Sequence, residues 1–141
     1  MIVLDTNVIS ELMREKPHSA VINWISAHPA TDLALTTITI AEIKRGLTRL
    51  PEGKRRRLLE RNFSAFVTDA FDGRILPFDE AAAHWFGEIA AKREQTGFNT
   101  DAVDLMIAAV VRAHDAAVAT RNTHDFEGCG IEVINPWTVN G

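Results

Sequence analysis

Short apolar runs alternate with longer amphipathic stretches along this chain. An apolar run that ends abruptly at polar residues is typical of a buried strand, and apolar positions three and four residues apart are typical of a helix. The pattern predicts strands at 2–4, 32–36, 75–77, 116–119 and 132–134, and helices at 7–14, 19–27, 39–50, 54–69, 79–95 and 101–114, with a short turn or helix at 122–126. Because strands alternate with helices, we predict an α/β fold with a central parallel sheet of four to five strands, flanked by helices on both faces.

The two helices on either side of the turn Pro51-Glu-Gly53 are predicted to form a helical hairpin over about 39–69. The formal net charge of the chain is −4, yet eight of its 15 Lys and Arg residues fall between Lys44 and Arg61. Such a patch can hold phosphate or an acidic partner, but charge alone favours a solvated helix face. The eight residues are Lys44, Arg45, Arg49, Lys54, Arg55, Arg56, Arg57 and Arg61.

Length and composition narrow the class of protein. A chain of 141 residues with 46% hydrophobic content is expected to form one globular domain over 1–141. No apolar run approaches the roughly 20 residues that a membrane helix needs, and no secretory signal is apparent. The single Cys129 excludes an internal disulfide framework and a CxxC metal site. We therefore expect a cytoplasmic protein without membrane contact.

Two acids occupy positions where a carboxylate is unexpected. Asp5 ends the first apolar run, which places it at the carboxyl end of a strand, where ligands bind in open α/β sheets. It could instead cap the next helix, although Thr6 and Asn7 are also available as caps. Asp104 interrupts AVDLMIAAVV, a helix that is otherwise apolar all round. A buried carboxylate is costly unless it is paired or bound to metal, so we favour a functional role for both acids.

The role of a third acid, Glu42, is open between two explanations. Thr39-Ile-Ala-Glu42 matches a capping box, in which the glutamate binds the backbone of the capping threonine. However, Glu42 also begins the helix after the second strand, at the same end of the sheet as Asp5. Asp101, one turn before Asp104, is predicted to be a helix cap rather than a site residue.

The polar residues that follow the fourth strand supply further oxygen atoms at this end of the sheet. They include Asn122 and Asp125, either of which could instead simply cap a turn. Carboxylates about 4 Å apart repel each other by on the order of 4 kcal/mol, so a cluster needs a cation or raised pKa values. A set of oxygen ligands without His or Cys selects Mg²⁺ or Mn²⁺. Such an ion activates water and neutralises a phosphate, which points to phosphodiester hydrolysis.

Segments covering nearly the whole chain resemble, in the same order, those of the PIN-domain ribonucleases. The chain looks most like the VapC toxins of bacterial type II toxin–antitoxin pairs, in particular their FitB-like branch. The matching segments are MIVLDTNVISEL at 1–12, TTITIAEIKRGL at 36–47, ILPFDEAAA at 75–83, DAVDLMIAA at 101–109, VATRNTHDF at 118–126 and INPW at 134–137. The resemblance implies a PIN fold and an Mg²⁺-dependent endoribonuclease, with Mn²⁺ as an alternative metal.

The resemblance also assigns residues. The metal-binding acids fall on Asp5, Glu42 and Asp104, and a fourth, more variable catalytic position falls on Asn122. Auxiliary polar roles are implied for Thr6, Asp101, Arg121 and Asp125. The family further implies a homodimer, inhibition by a cognate VapB-like antitoxin, and binding of promoter DNA only through that antitoxin. In that setting the basic hairpin would contact RNA or the antitoxin.

Three other functions remain as alternatives. A haloacid-dehalogenase-type phosphatase needs a second Asp two residues after the first, where this chain has Asn7. A receiver domain needs a late Lys, and no Lys follows Lys92. A catalytically weak PIN domain acting as a partner-binding module would not need all three acids. With no Tyr and no aromatic–basic pattern, recognition of RNA is expected to rest on backbone and shape, and Trp137 to pin the C-terminal tail.

Overall fold

The computed structural model describes residues 1–72, 74–98 and 101–138, in which strands and helices alternate as predicted. The strands are β1 (Ile2–Leu4), β2 (Leu33–Thr36), β3 (Ile75–Leu76), β4 (Ala117–Ala119) and β5 (Glu132–Ile134). The helices are α1 (Thr6–Leu12), α2 (Ser19–Ser26), α3 (Thr37–Thr48), α4 (Lys54–Phe71), α5 (Glu80–Gln95) and α6 (Ala102–Ala113), with 3₁₀ turns at Ala30–Asp32 and Thr123–Phe126. Their bounds differ from the prediction by at most two residues.

The five strands form one parallel sheet in the order β3-β2-β1-β4-β5. Strand β1 is central: Ile2 lies opposite Leu33 of β2 on one side and opposite Ala117 of β4 on the other. Because all strands run the same way, their carboxyl ends meet at one edge of the sheet. The predicted parallel sheet is confirmed, and this edge is where the chain places its polar residues.

Helices cover both faces of the sheet, as predicted. Val3 and Val118 point to one face, where they pack with α5 and α6. Leu4 and Leu35 point to the other face, where they pack with α1 to α4. Burial on both faces explains why the strands are apolar throughout rather than alternating. Among the described helices, none combines the length and apolar character needed to cross a membrane.

Two arginines fix the segment between the second 3₁₀ turn and β5. Arg112 donates a hydrogen bond to the Gly130 carbonyl oxygen at 2.9 Å, and its guanidinium lies 4.5 Å from the centroid of the Trp85 ring. Arg93 is buried and donates to the Glu127 carbonyl oxygen. Gly130 has a φ of +76°, and a Cβ there would lie 1.5 Å from Arg112 Nη1. The segment is thereby held against α5 and α6.

Candidate active site

Asp5 is the most enclosed of the predicted site acids, with only 3% of its surface exposed. It follows β1 directly, and its backbone N–H donates to the Ala119 carbonyl oxygen at 2.9 Å. Its carboxylate accepts hydrogen bonds from the Thr6 backbone N–H at 2.8 Å, from Thr120 Oγ1 at 2.8 Å and from Asn7 Nδ2 at 3.2 Å. Asp5 itself is the N-cap of α1, because the helix begins at Thr6 without a loop. Thr6 and Asn7 are therefore not caps, and their side chains are available to the site.

The environment of Asp5 disfavours its charged form. Burial raises the pKa of Asp5 above its usual value, and the negative charges of Glu42 and Asp125 add to the increase. The hydrogen bonds from Thr120 and from the Thr6 backbone act in the opposite direction and lower the pKa. This carboxylate is thus held in a fixed orientation next to other acids.

Glu42 lies on α3 and reaches across to α1. The N-cap of α3 is Thr36, whose Oγ1 accepts from the Thr39 N–H at 3.1 Å, so the predicted capping box of Thr39 and Glu42 is wrong. The helix starts two residues earlier than predicted, and its cap three residues earlier than Thr39, because β2 runs straight into it at Thr36. Instead of binding its own helix end, Glu42 Oε1 accepts a hydrogen bond from Thr6 Oγ1 at 2.6 Å. The functional alternative for Glu42 is thereby favoured over the capping one.

Asp104 lies in the first turn of α6, one turn after Asp101. The Asp101 carboxylate accepts from the Val103 N–H at 2.8 Å, which confirms Asp101 as the helix cap. Asp104 is half-buried, and burial is the largest cause that raises its pKa to about 7. The charges of Asp5, Asp125, Asp101 and Glu42 raise it further, in that order. The pKa of Asp104 therefore responds to the charges of all the other acids of this cluster.

A cleft of about 480 Å³ opens at this edge of the sheet. Six residues predicted from the sequence line it: Asp5, Thr6, Glu42, Asp104, Arg121 and Asn122. The backbone N–H of Asn122 donates to Thr120 Oγ1 at 3.0 Å, and its side chain forms no cap of the following 3₁₀ turn. Asp101 and Asp125 do not line the cleft, and they act on it only through their charge.

The cleft also contains residues that were not predicted to belong to it. Ser10, Glu11 and Arg14 extend it along α1 and beyond the end of that helix. Glu11 is buried and accepts from Arg14 Nη1 at 3.3 Å and from the His18 N–H at 3.0 Å. Ser10 could have been found from its spacing of one helical turn from Thr6. Trp137 also lines the cleft, and nothing in its local sequence indicated this.

The oxygen-only character of the acids suits a hard divalent cation. In the described part of the chain, no group of three or more His, Cys, Asp or Glu side chains is already arranged to hold a metal ion. Mg²⁺ keeps several waters and needs only one or two direct carboxylates, so a closed ligand set is not required. Asp5 and Glu42 both raise the pKa of Asp104, and a cation in the cleft would relieve that repulsion. The residues present thus fit such an ion.

A larger groove of about 840 Å³ adjoins the cleft and shares Thr6, Ser10, Arg14 and Glu42 with it. Its walls come from α1, α3 and α4 and are largely apolar. Its apolar lining consists of Met13, Ile43, Leu47, Leu58 and Leu59. Leu58 is 51% exposed and extends this apolar lining to the surface.

One acid pairs with two basic residues of the predicted hairpin and separates them from the rest. Glu60 binds Lys44 Nζ at 3.0 Å and Arg56 Nε at 2.6 Å. The hydrogen bond from Arg56 and then that from Lys44 lower the pKa of Glu60. Arg55 instead lines the groove. Of the patch, Arg55 therefore faces the groove, whereas the charges of Lys44 and Arg56 are partly neutralised within the chain.

Comparisons with known proteins agree on one family. The model of the PIN domain matches residues 2–128. A relative from Sinorhizobium fredii, the VapC ribonuclease Y4jK, is 44% identical over 97% of this chain and 98% of its own length. Toxin FitB of Neisseria gonorrhoeae is 39% identical over 97% of this chain and 99% of its own. A solved structure of FitAB bound to an IR36 DNA fragment superimposes with a TM-score of 0.93 at 38% identity, over 100% of this chain and 99% of the other.

Proposed function

This chain belongs to the PIN domain family, and we propose that it is an Mg²⁺-dependent endoribonuclease, the toxic component of a type II toxin–antitoxin pair. The relatives named VapC ribonuclease and toxin FitB support both the enzyme class and the toxin role. The observation that carries the proposal is the cleft itself, in which Asp5, Glu42 and Asp104 from three separate parts of the chain come together. A partner-binding module without activity would not need this costly arrangement.

The residues of the cleft divide the work of phosphodiester hydrolysis. We propose that Asp5, Glu42 and Asp104 hold Mg²⁺ or Mn²⁺, which when bound supplies an activated water and neutralises charge on the scissile phosphate. Thr6 orients Glu42 through their 2.6 Å hydrogen bond. Asn122 supplies a further polar group at the cleft wall.

We further propose that the groove beside the cleft binds the antitoxin. An apolar helix or extended segment would bury Leu58, and an acidic residue of the partner would pair with Arg55. The groove leads directly to Glu42 and Thr6, so a partner seated there reaches the entrance of the cleft. In this assembly the chain would act as a cytoplasmic homodimer and would meet promoter DNA only through the antitoxin, in line with the DNA-bound FitAB structure.

Cleavage and growth test the catalytic proposal with one pair of variants. Asp104→Asn removes a site acid, whereas Asp79→Asn changes an exposed cap of α5 whose Oδ1 accepts from the Ala82 N–H at 3.0 Å. Asn caps a helix as well as Asp does, so the control should fold normally. We expect wild type and Asp79→Asn to cleave RNA with Mg²⁺ and to arrest growth, and Asp104→Asn to do neither. Cleavage by Asp104→Asn at the wild-type rate would refute the site.

A second pair of variants tests the groove. Leu58→Asp introduces a charge into the groove, and Ile22→Asp places the same charge at a 39% exposed site on α2. Each variant is expressed with and without the small open reading frame expected beside its gene. We expect the Leu58→Asp protein to remain toxic when that reading frame is co-expressed, and the Ile22→Asp protein to be neutralised. Equal neutralisation of both would contradict the groove as the antitoxin site.

A further inference from the structure

An arginine–tryptophan pair forms part of the cleft wall. Arg121 follows β4 and Trp137 follows β5, and these neighbouring parallel strands end at the edge that carries the acids. Both residues line the same cleft as Asp5 and Asp104. The Arg121 Cζ lies 5.2 Å from the centroid of the Trp137 ring, within the range of a cation–π contact. The fold thus creates an aromatic–basic pair that no local sequence pattern indicated.

Both members of the pair are anchored to the site. The backbone N–H of Arg121 donates to Asn7 Oδ1 at 3.1 Å, and Asn7 Nδ2 donates to Asp5 Oδ2 at 3.2 Å. The backbone N–H of Trp137 donates to Asn135 Oδ1 at 2.9 Å, and its ring packs against the core layer that contains Leu4. The backbone of Arg121 is therefore linked to Asp5 by two hydrogen bonds, whereas Trp137 is fixed by a local hydrogen bond and by packing against the core.

The donors of Arg121 are unused by the described part of the protein. Arg112 also lies over a tryptophan, Trp85, but it donates hydrogen bonds to backbone carbonyl oxygens and serves the fold. By contrast, Arg121 is exposed, and among the described residues its side chain forms no salt bridge and donates no hydrogen bond. An arginine that is stacked on a ring inside a catalytic cleft, with its donors free, is prepared for a ligand.

We propose that Arg121 and Trp137 hold an unpaired nucleobase of single-stranded RNA next to the scissile phosphate, an inference that rests on the proposed ribonuclease function. Every base has a π-face that stacks on aromatic rings and on the guanidinium plane of arginine. Arginine alone would also bind phosphate, but the aromatic ring beside it adds a stacking surface that a phosphate does not use and a base does. A base within a duplex is already stacked on its neighbours, so the pair selects single-stranded RNA.

The first test removes a single base from the RNA and leaves the protein unchanged. The cleaved bond is first mapped on a labelled single-stranded RNA of about 15 nucleotides. A series of the same RNA then carries a single abasic position at each nucleotide in turn, so that the series serves for binding as well as for cleavage. For the wild type we expect one abasic position to lower kcat/KM about tenfold, mainly through KM, because stacking on one base contributes on that order.

The variants locate the effect on the pair. We expect Trp137→Leu and Arg121→Lys to lose about tenfold on the intact RNA and almost nothing more on the abasic RNA, since the contact is already absent. Trp137→Phe keeps an aromatic face and should retain most of the discrimination. Trp85→Leu is the matched control, because it removes a tryptophan under an arginine outside the cleft, and it should show the full wild-type penalty. Should Trp137→Leu fail to fold, the exposed Arg121→Lys still gives the answer.

Two outcomes overturn the inference while the proposed function stands: wild type that cleaves intact and abasic RNA equally, or variants that show the same abasic penalty as wild type. Binding of the same RNAs, followed by fluorescence anisotropy with Asp5→Asn protein, separates the two proposals. If the protein binds intact RNA more tightly than abasic RNA but the wild type cleaves neither, the ribonuclease function is refuted and the base site is supported. Absence of discrimination in binding, with cleavage retained, refutes the base site alone.

Discussion

Replacing Asp104 by Asn should stabilise the metal-free protein although it removes a site acid. The pKa of Asp104 is raised from 3.8 to about 7, so the folded state holds this proton while the unfolded chain has already released it. Wild type therefore loses stability as the pH rises from about 4 to about 7, and the loss persists above that. Asn carries no charge at any of these pH values, so the variant does not suffer this loss.

The magnitude follows from the size of the shift. About three pKa units at about 1.4 kcal/mol each give an upper value of about 4 kcal/mol. Because Asp104 is only half-buried, solvent screens its charge, and about 2 kcal/mol is the more realistic gain for Asp104→Asn above pH 8. Below pH 4 the two proteins should be equally stable to within a few tenths of a kcal/mol.

Urea unfolding in EDTA at pH 4 and pH 8.5 measures the difference, with Asp79→Asn as the control for losing an exposed carboxylate. Addition of Mg²⁺ or Mn²⁺ at pH 8.5 should then stabilise wild type and have little effect on Asp104→Asn, since the ion stabilises only the protein that binds it. An Asp104→Asn protein that is less stable than wild type at pH 8.5, or a difference in stability that does not change with pH, would contradict the raised pKa of Asp104.

Two further substitutions probe the surroundings of the site, and a third probes the segment that precedes β5. Thr120→Val removes the 2.8 Å hydrogen bond that lowers the pKa of Asp5, so the acid limb of the pH–rate profile should move to higher pH; an unmoved limb would contradict this. Thr6→Val releases Glu42 and should reduce kcat on a single RNA substrate about tenfold, because a hydrogen bond to a charged group contributes about 1.5–3 kcal/mol. Thr6→Ser keeps the hydroxyl group and should restore kcat. Gly130→Ala should lower the free energy of unfolding in urea by about 1–3 kcal/mol, since φ is +76° and the new Cβ meets Arg112 Nη1. Adding Arg112→Ala should relieve the clash but not the backbone strain. A Gly130→Ala protein as stable as wild type would contradict this prediction.

Much of the fold follows from the sequence because its signals are local. Strand β1 is predicted from three apolar residues that end at Asp5, and α6 from an apolar helix that contains one acid. Asp104 is identifiable for the same reason, since a lone carboxylate among apolar residues has few structural explanations. Asp5 follows a strand and Asp104 begins a helix, and the helices of a parallel α/β sheet run opposite to its strands, so both acids lie at the carboxyl edge of the sheet.

What the sequence does not reveal depends on contacts between distant segments. Thr39 and Glu42 match a capping box, but the actual cap is Thr36, because β2 leads into α3 without a loop. The partner of Glu42 is Thr6 on another helix, and no spacing along the chain indicates that pair. Trp137 belongs to the cleft only because β5 lies beside β4 in the sheet.

The central position of β1 affects when the cleft can form during synthesis of the chain. Ile2 lies opposite Ala117, so β1 cannot pair with β4 until almost the whole chain has been synthesised. Thr120, which orients Asp5, is translated later still. Contacts between residues so far apart in sequence form slowly. The cleft therefore cannot assemble on a nascent chain until translation is nearly complete.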